Sequence, residues 1–241
     1  MSALPTPRRV RALDLAFTDW QWPFAIAHRA RIDAHFAEEQ RKLPDIFNGI
    51  VLLGRNHRVV DDVLHADYFE TDFASFLAWR DWGFPDERVF NGFGAGALRA
   101  SDGAFVLGEM AANTSNAGKI YFASGTPDRN DVRGSVVDLA DSIRRETEEE
   151  IGLTEADYRA ADAWDVIVTR GVVAMVRMLD AEQSGAALKA KIEANLDAQT
   201  HREFSAVHLV RSTAELNDQM PLYVKAFLTA HFASPHTPPS W

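Results

Sequence analysis

The stretch Arg144 to Leu153 reads RRETEEEIGL and places Glu146, Glu148, Glu149 and Glu150 within five residues of a helical-looking segment closed by Gly152. Like charges at i,i+4 on a helix repel by a few tenths of a kcal/mol per pair. A fold that keeps them either leaves them in water, as a solvated acidic face, or sets a cation among them. At i, i+3 and i+4, Glu146, Glu149 and Glu150 project from one face while Glu148 points elsewhere. Three carboxylates so placed reach a common hard cation, and Mg2+ takes one or two protein carboxylates and completes its shell with water and substrate phosphates. Gly152 suits the position just past the helix, where positive φ costs glycine nothing.

The rest of the composition narrows what that cation can be. The chain has no cysteine, so disulfides, iron–sulfur clusters and Cys-ligated zinc are excluded, and a bound metal must use oxygen or imidazole ligands. A net charge of -10, with no run of Lys and Arg, argues against nucleic acid or an anionic membrane as partner. The expected ligand is a small molecule. The N-terminus MSALPTPRRV lacks the apolar core of a secretory signal, and no apolar run approaches the roughly 18 residues of a spanning helix; a cytoplasmic protein is the expectation. With 241 residues, 46% of them hydrophobic, the core is large enough for one domain plus an extension.

Along the chain, the proline-bearing ends MSALPTPRR and SPHTPPSW read as tails. A helix is expected from Pro23 to before Pro44, carrying His28 and His35 as ordinary core or surface histidines, then strands at NGIVLLGR and RVVDDVLHADYF. A helix, DFASFLAWRDWGF, holds Trp79 and Trp82 in the core and stops at Gly83 and Pro85. Beyond a boundary near Asp86 the pattern becomes regular: the glycine-rich strand FNGFGAGALRA, a turn at SDG, strands AFVLGEMA and KIYFASG, a polar loop, the acidic helix, a hairpin through Arg170-Gly171, a helix, the strand FSAVHLVR and a closing helix. Helices interleaved with hairpins point to an α/β (α+β) sandwich rather than a doubly wound parallel sheet. The division expected is an N-terminal extension at 1–85, a main domain at 86–233 and a flexible tail at 234–241.

RETEEEIGL, from Arg145 to Leu153, resembles the second half of the Nudix box, Arg-Glu-apolar-x-Glu-Glu-x-Gly-apolar. Only Thr147 departs, at a site that is usually aliphatic. The first half is interrupted. The positions expected to be glycine and glutamate are Asp131 and Val137. Aligning FASGTP with the family's strand-end turn instead sets Gly125 twenty positions before Arg145, six more than the pattern has. Asp138 or Asp141 is expected to cap the helix. The resemblance spans about Phe90 to Phe232 and implies a mixed sheet between helices, with the box as a loop–helix–loop. For residues 1–85 two readings stay open: an added β-rich subdomain, as in some UDP-sugar-hydrolysing members, or a dimerisation arm that would make a homodimer.

The same resemblance implies hydrolysis of a nucleoside diphosphate linked to another moiety, by water attack on phosphorus. Glu146, Glu149 and Glu150 would hold Mg2+ or Mn2+, and Arg145 would orient a box glutamate. A further carboxylate is expected from a distant loop: Glu203 in THREFSAVHLV first, Glu182 second, with Glu109 weaker. Arg99, Lys119, Arg129 and Arg170 are the phosphate-binding candidates. The missing cysteines mark down zinc-bearing NADH pyrophosphatases, and the absence of proline between Pro127 and Pro221 marks down ADP-ribose hydrolases. A nucleotide-sugar-like substrate is favoured. The alternative is a catalytically silent Nudix-fold module that binds a nucleotide as a sensor.

Overall fold

In the computed structural model residues 4–233 are described; the tail expected at 234–241 lies outside them. Twelve strands and six α-helices follow in chain order: β1 (Arg8–Val10), β2 (Ala12–Phe17), α1 (Pro23–Ala27), α2 (Arg29–Lys42), β3 (Ile50–Val60), β4 (Val63–Asp72), α3 (Phe73–Asp81), β5 (Val89–Arg99), β6 (Phe105–Met110), β7 (Ile120–Tyr121), β8 (Val132–Arg133), β9 (Val136–Val137), α4 (Leu139–Ile151), β10 (Arg159–Thr169), β11 (Val172–Asp180), α5 (Gly185–Ala198), β12 (Phe204–Val210) and α6 (Leu222–Ala233). Among these residues no helix is long and apolar enough to cross a membrane.

The glycine-rich strand β5 organises the sheet. It runs parallel to β11 from Asn91 to Arg99, meets β3 antiparallel at Phe90 and Val89, and reaches β6 through the turn after Arg99. β6 in turn pairs β12 and β7, and β10 forms a hairpin with β11 through Gly171 at φ 71°. Side chains alternate across a strand, and β5 uses its two faces differently. A Cβ added at Gly94 would lie 2.9 Å from Ile143 Cγ1 and 3.0 Å from the Leu139 carbonyl oxygen, so α4 lies directly against the backbone on that face. On the other face Phe93 packs edge-to-face on Tyr223 of α6, with ring centroids 5.4 Å apart. The expected α/β/α sandwich with a mixed sheet is therefore present.

Three expectations for the N-terminal region need correction. Arg8 and Arg9 are not tail residues: β1 pairs antiparallel with β10, and Arg9 Nη1 bonds Asp165 Oδ2 at 2.9 Å. RVVDDVLHADYF is not one strand but the turn of the β3–β4 hairpin with its flanks. Asp61 and Asp62 both take positive φ, 49° and 56°, as a turn matching strand twist requires at both central positions. The helix after Pro23 is also divided, with His28 between α1 and α2. Trp79 is fully buried, as expected, in an apolar cluster with Trp22, Ile32 and Phe69. A larger cluster joins Val10, Leu15 and Tyr68 to Ile143, Met175 and Phe227.

Candidate functional site

Helix α4 opens on Asp138, whose carboxylate accepts from the Ala140 and Asp141 backbone N–H groups, and ends on Gly152 at φ 69°. Asp138 is the cap; Asp141 instead holds Arg133 and Arg144. The buried stripe of Leu139, Ile143, Thr147, Glu150 and Ile151 faces the sheet. Glu148 points outward to Arg144. Glu146, Glu149 and Glu150 line a cleft of about 330 Å3. Its opposite wall is the turn Gln199 to His201 and Glu203, just ahead of β12. Four of the expected carboxylates thus share one cleft.

Arg145 lies among them. Its Nη1 is 2.9 Å from Glu146 Oε1 and 3.4 Å from Glu149 Oε2, and its Nη2 reaches both oxygens of Asp131 at 3.1 and 3.3 Å. Burial would lower the arginine's pKa, but Glu146, Asp131 and Glu149 raise it above its ordinary value. Asp131 is the positioning residue missed by sequence reasoning. It is fully buried and closes a capping box with Asp128. The one signal for it was local, the Asp128-to-Asp131 spacing of such a box.

Burial pushes Glu146 up to about 7, against the pull of Arg145, with Glu149, Glu203 and Asp131 adding to the rise. Glu150 is raised well above the carboxylate range by burial and then by Glu146 and Glu203, although the Ser124 N–H donates to its Oε2 at 3.0 Å. Glu203 is solvent-exposed, yet crowding by neighbouring atoms and the charge of Glu149 lift it in the same direction. Gly125 abuts this group: a Cβ there would stand 2.6 Å from Glu146 Oε1, so the FASGTP turn meets the acidic helix at the glycine the alignment selected.

Among the described residues no three Asp, Glu or His side chains already form a metal cage, and Arg145 occupies the space between two of the glutamates. The donor set nonetheless fits a hard divalent cation. It consists of carboxylate oxygens, and a cation would reverse the raised pKa values of buried Glu150 and partly buried Glu146.

The other candidates lie elsewhere. Glu109 bonds His208 Nε2 at 2.8 Å across the β6–β12 pair, and Glu182 sits in the exposed turn after β11. Arg99 is buried against Asp180 at 2.6 Å, Arg129 forks onto Glu70, and Arg170 faces Glu87 at 3.8 Å. Lys119 alone of the four lines a cavity that borders the site.

A mixed sheet between α4 and α6, with the acidic helix packed on β5 and a glycine turn against its first glutamate, matches the expected sandwich and its loop–helix–loop. The arrangement is the one that the resemblance to the Nudix box implies. No family model matches the chain, and no curated protein is similar to it. Similar solved structures include the MutT protein from Methanosarcina mazei Go1, 18% identical over 58% of this chain and 91% of that one, with a TM-score of 0.38. The Nudix hydrolase RenU from M. smegmatis is 15% identical over 62% of this chain and 92% of its own, TM-score 0.38. The E. coli ORF135 protein is 17% identical over 61% and 96%, TM-score 0.34.

Proposed function

We propose that the chain is a metal-dependent Nudix-type pyrophosphohydrolase that cleaves a nucleoside diphosphate linked to another moiety, a nucleotide-sugar-like substrate being favoured. The observation that carries this reading is the meeting of Glu203 with Glu146, Glu149 and Glu150 around one cleft. A structural acidic helix has no need of a fourth carboxylate brought in from the segment ahead of β12.

Glu146, Glu149 and Glu150 would hold Mg2+ or Mn2+, which when bound would offset pyrophosphate charge and make water more acidic. The chain's own residues supply the rest. The Ser124 N–H fixes Glu150, and Arg145, anchored on Asp131, orients Glu146 and Glu149. Glu203 has the raised proton affinity that suits a general base accepting a proton from attacking water.

Thermal unfolding with and without millimolar Mg2+, alongside a hydrolysis screen of nucleotide sugars and other nucleoside diphosphates, tests the proposal. A higher midpoint with metal is expected, because a ligand that binds only the folded state stabilises it. Glu150→Gln should lose at least about a hundredfold in turnover with circular dichroism nearly unchanged. Wild-type-like turnover in that variant would end the proposal, and a metal shift without turnover of any substrate would identify a binding module instead.

A further inference from the structure

A cavity of about 470 Å3 lies against the C-terminal half of α6, on the face of the sheet opposite α4. Alternation along β5 sets Gly94 and Gly96 against α4 and sends Phe93 and Arg99 to the α6 side. None of the described residues that line this cavity lines the acidic cleft. Its volume is within the roughly 300–1,000 Å3 of small-molecule sites.

Strand register builds its charged wall. Arg159 of β10, Asp180 of β11 and Arg99 of β5 are partners across three neighbouring strands, so their side chains share one face. Arg99 Nε bonds Asp180 Oδ1 at 2.6 Å, and Arg99 Nη1 lies 3.4 Å from His231 Nε2. Arg9 of β1 stands opposite Asp165 of β10 in the same way, bonded to it at 2.9 Å. The described lining thus holds three guanidiniums and two carboxylates, in a chain whose net charge is -10. Arg99 is 6% exposed and Asp180 8%. A buried ion pair is a poor device for stability, because desolvating two charges costs about as much as their attraction gains, and apolar residues of similar volume would hold the fold as well. What this pair achieves is to fix a permanently charged, planar group in the wall of a cavity.

The hollow itself comes from small side chains. Ala160, Ala161 and Ala230 stand where larger residues would fill it. Consecutive residues of a regular strand face opposite sides, yet Ala160 and Ala161 both line the cavity. The β10–β11 register shifts between Ala160 and Trp164, and such a bulge re-aims side chains. Arg177 Nε donates to the Ala161 carbonyl at 2.6 Å and holds the bulge in place.

We propose that this cavity binds a small organic monocarboxylate, its carboxylate on Arg99 and Arg159 and its apolar body over Ala160, Ala161 and Met178. A guanidinium presents a planar fork that matches a carboxylate. One guanidinium more than the carboxylates among the described lining residues balances a single negative charge, where a phosphate monoester brings nearly two. The inference is independent of the function proposed above.

Proton NMR titration of the full chain with hexanoate, 1-hexanol, acetate and hexyl phosphate tests it. Hexanoate should bind with a millimolar or lower dissociation constant, at least about tenfold more tightly than 1-hexanol, which keeps the apolar body without the charge. Acetate, which keeps the charge without the body, should be weaker by a similar factor. Arg159→Gln should weaken hexanoate about tenfold and leave 1-hexanol unchanged. Arg99→Lys keeps a charge beside Asp180 but loses the fork, and should do the same. Ala230→Leu, at an exposed position of α6, narrows the hollow without touching a charge and should weaken both ligands. The Arg159 and Ala230 variants keep the test open even where Arg99→Lys fails to fold. No hexanoate binding at about 10 mM, equal binding of hexanoate and 1-hexanol, or hexanoate affinity unchanged in the Arg159 and Ala230 variants overturns the proposal. Hexyl phosphate binding more tightly than hexanoate overturns it too, in favour of a phosphate site.

Discussion

Glu146 is subject to two opposing influences, burial that favours its protonated form and a guanidinium 2.9 Å away that favours the anion. Burial prevails, and its pKa rises to about 7. An unfolded glutamate titrates near about 4.3. A carboxyl raised on folding binds its proton more tightly in the folded state, so its contribution to stability is full below the unfolded value and is lost as pH climbs to about 7. Metal-free protein should therefore lose on the order of 3 kcal/mol between about pH 4.5 and about pH 7 from this group, and Glu150 adds to the slope in the same direction. Urea unfolding across that range should show the decline, and Glu146→Gln should flatten it; an unchanged slope in the variant would remove Glu146 as its source. Glu203 is separable by kinetics. Glu203→Gln should reduce kcat about a hundredfold with little change in KM, as expected for a group used mainly in the transition state. A parallel rise in KM at unchanged kcat would make it a binding residue only.

Helix α4 stands at its working depth because β5 presents glycine beneath it. Gly94 admits Ile143 and the Leu139 carbonyl, and Gly96 admits Leu179, Ile143 and Thr147. Gly94→Ala sets a methyl group against backbone, which cannot move out of the way as a side chain can, and should cost about 1–3 kcal/mol. Because the helix carries the glutamates, the same change should weaken Mg2+-induced stabilisation. Urea midpoints with and without metal read both effects, and a neutral result would mean that α4 does not depend on that close approach. The acidic helix was legible in the sequence since its spacing, a capping aspartate at 138 or 141 and its closing Gly152 are local features; the structure chooses Asp138. So was β5 as a strand. Its role as a platform was not, because Ile143 and Thr147 lie far along the chain and nothing near Gly94 announces them. The β3–β4 turn was missed for a different reason: two aspartates between apolar runs read as a continued strand until their positive φ values are seen.

At the scale of the whole molecule, the interruption in the first half of the motif has a structural counterpart. The inserted stretch forms a capped turn at Asp128 to Asp131 and the β8–β9 hairpin, and β9 pairs with β2 at Ala16. The Leu52 N–H donates to the Pro127 carbonyl at 2.7 Å, and Arg129 forks onto Glu70 of β4. The insertion therefore fastens the loop ahead of the acidic helix to the N-terminal strands, while its Asp131 holds Arg145 against Glu146 and Glu149. Apart from the local spacing of the Asp128–Asp131 box, none of this was readable in advance, since the rest of the insertion takes its shape from partners distant in sequence. The pairings also leave few open strand edges where the two regions meet: β1 covers β10, β3 covers the start of β5, and β2 covers β9. Residues 86–233 expressed alone would present those three strands with unpaired N–H and C=O groups, a template for pairing with other chains. Such a fragment is expected to elute as high-mass species in size-exclusion chromatography at concentrations where the full chain does not, and a well-behaved fragment would mean that these edges close on themselves. The N-terminal strands thus guard the strands of residues 86–233 against self-association.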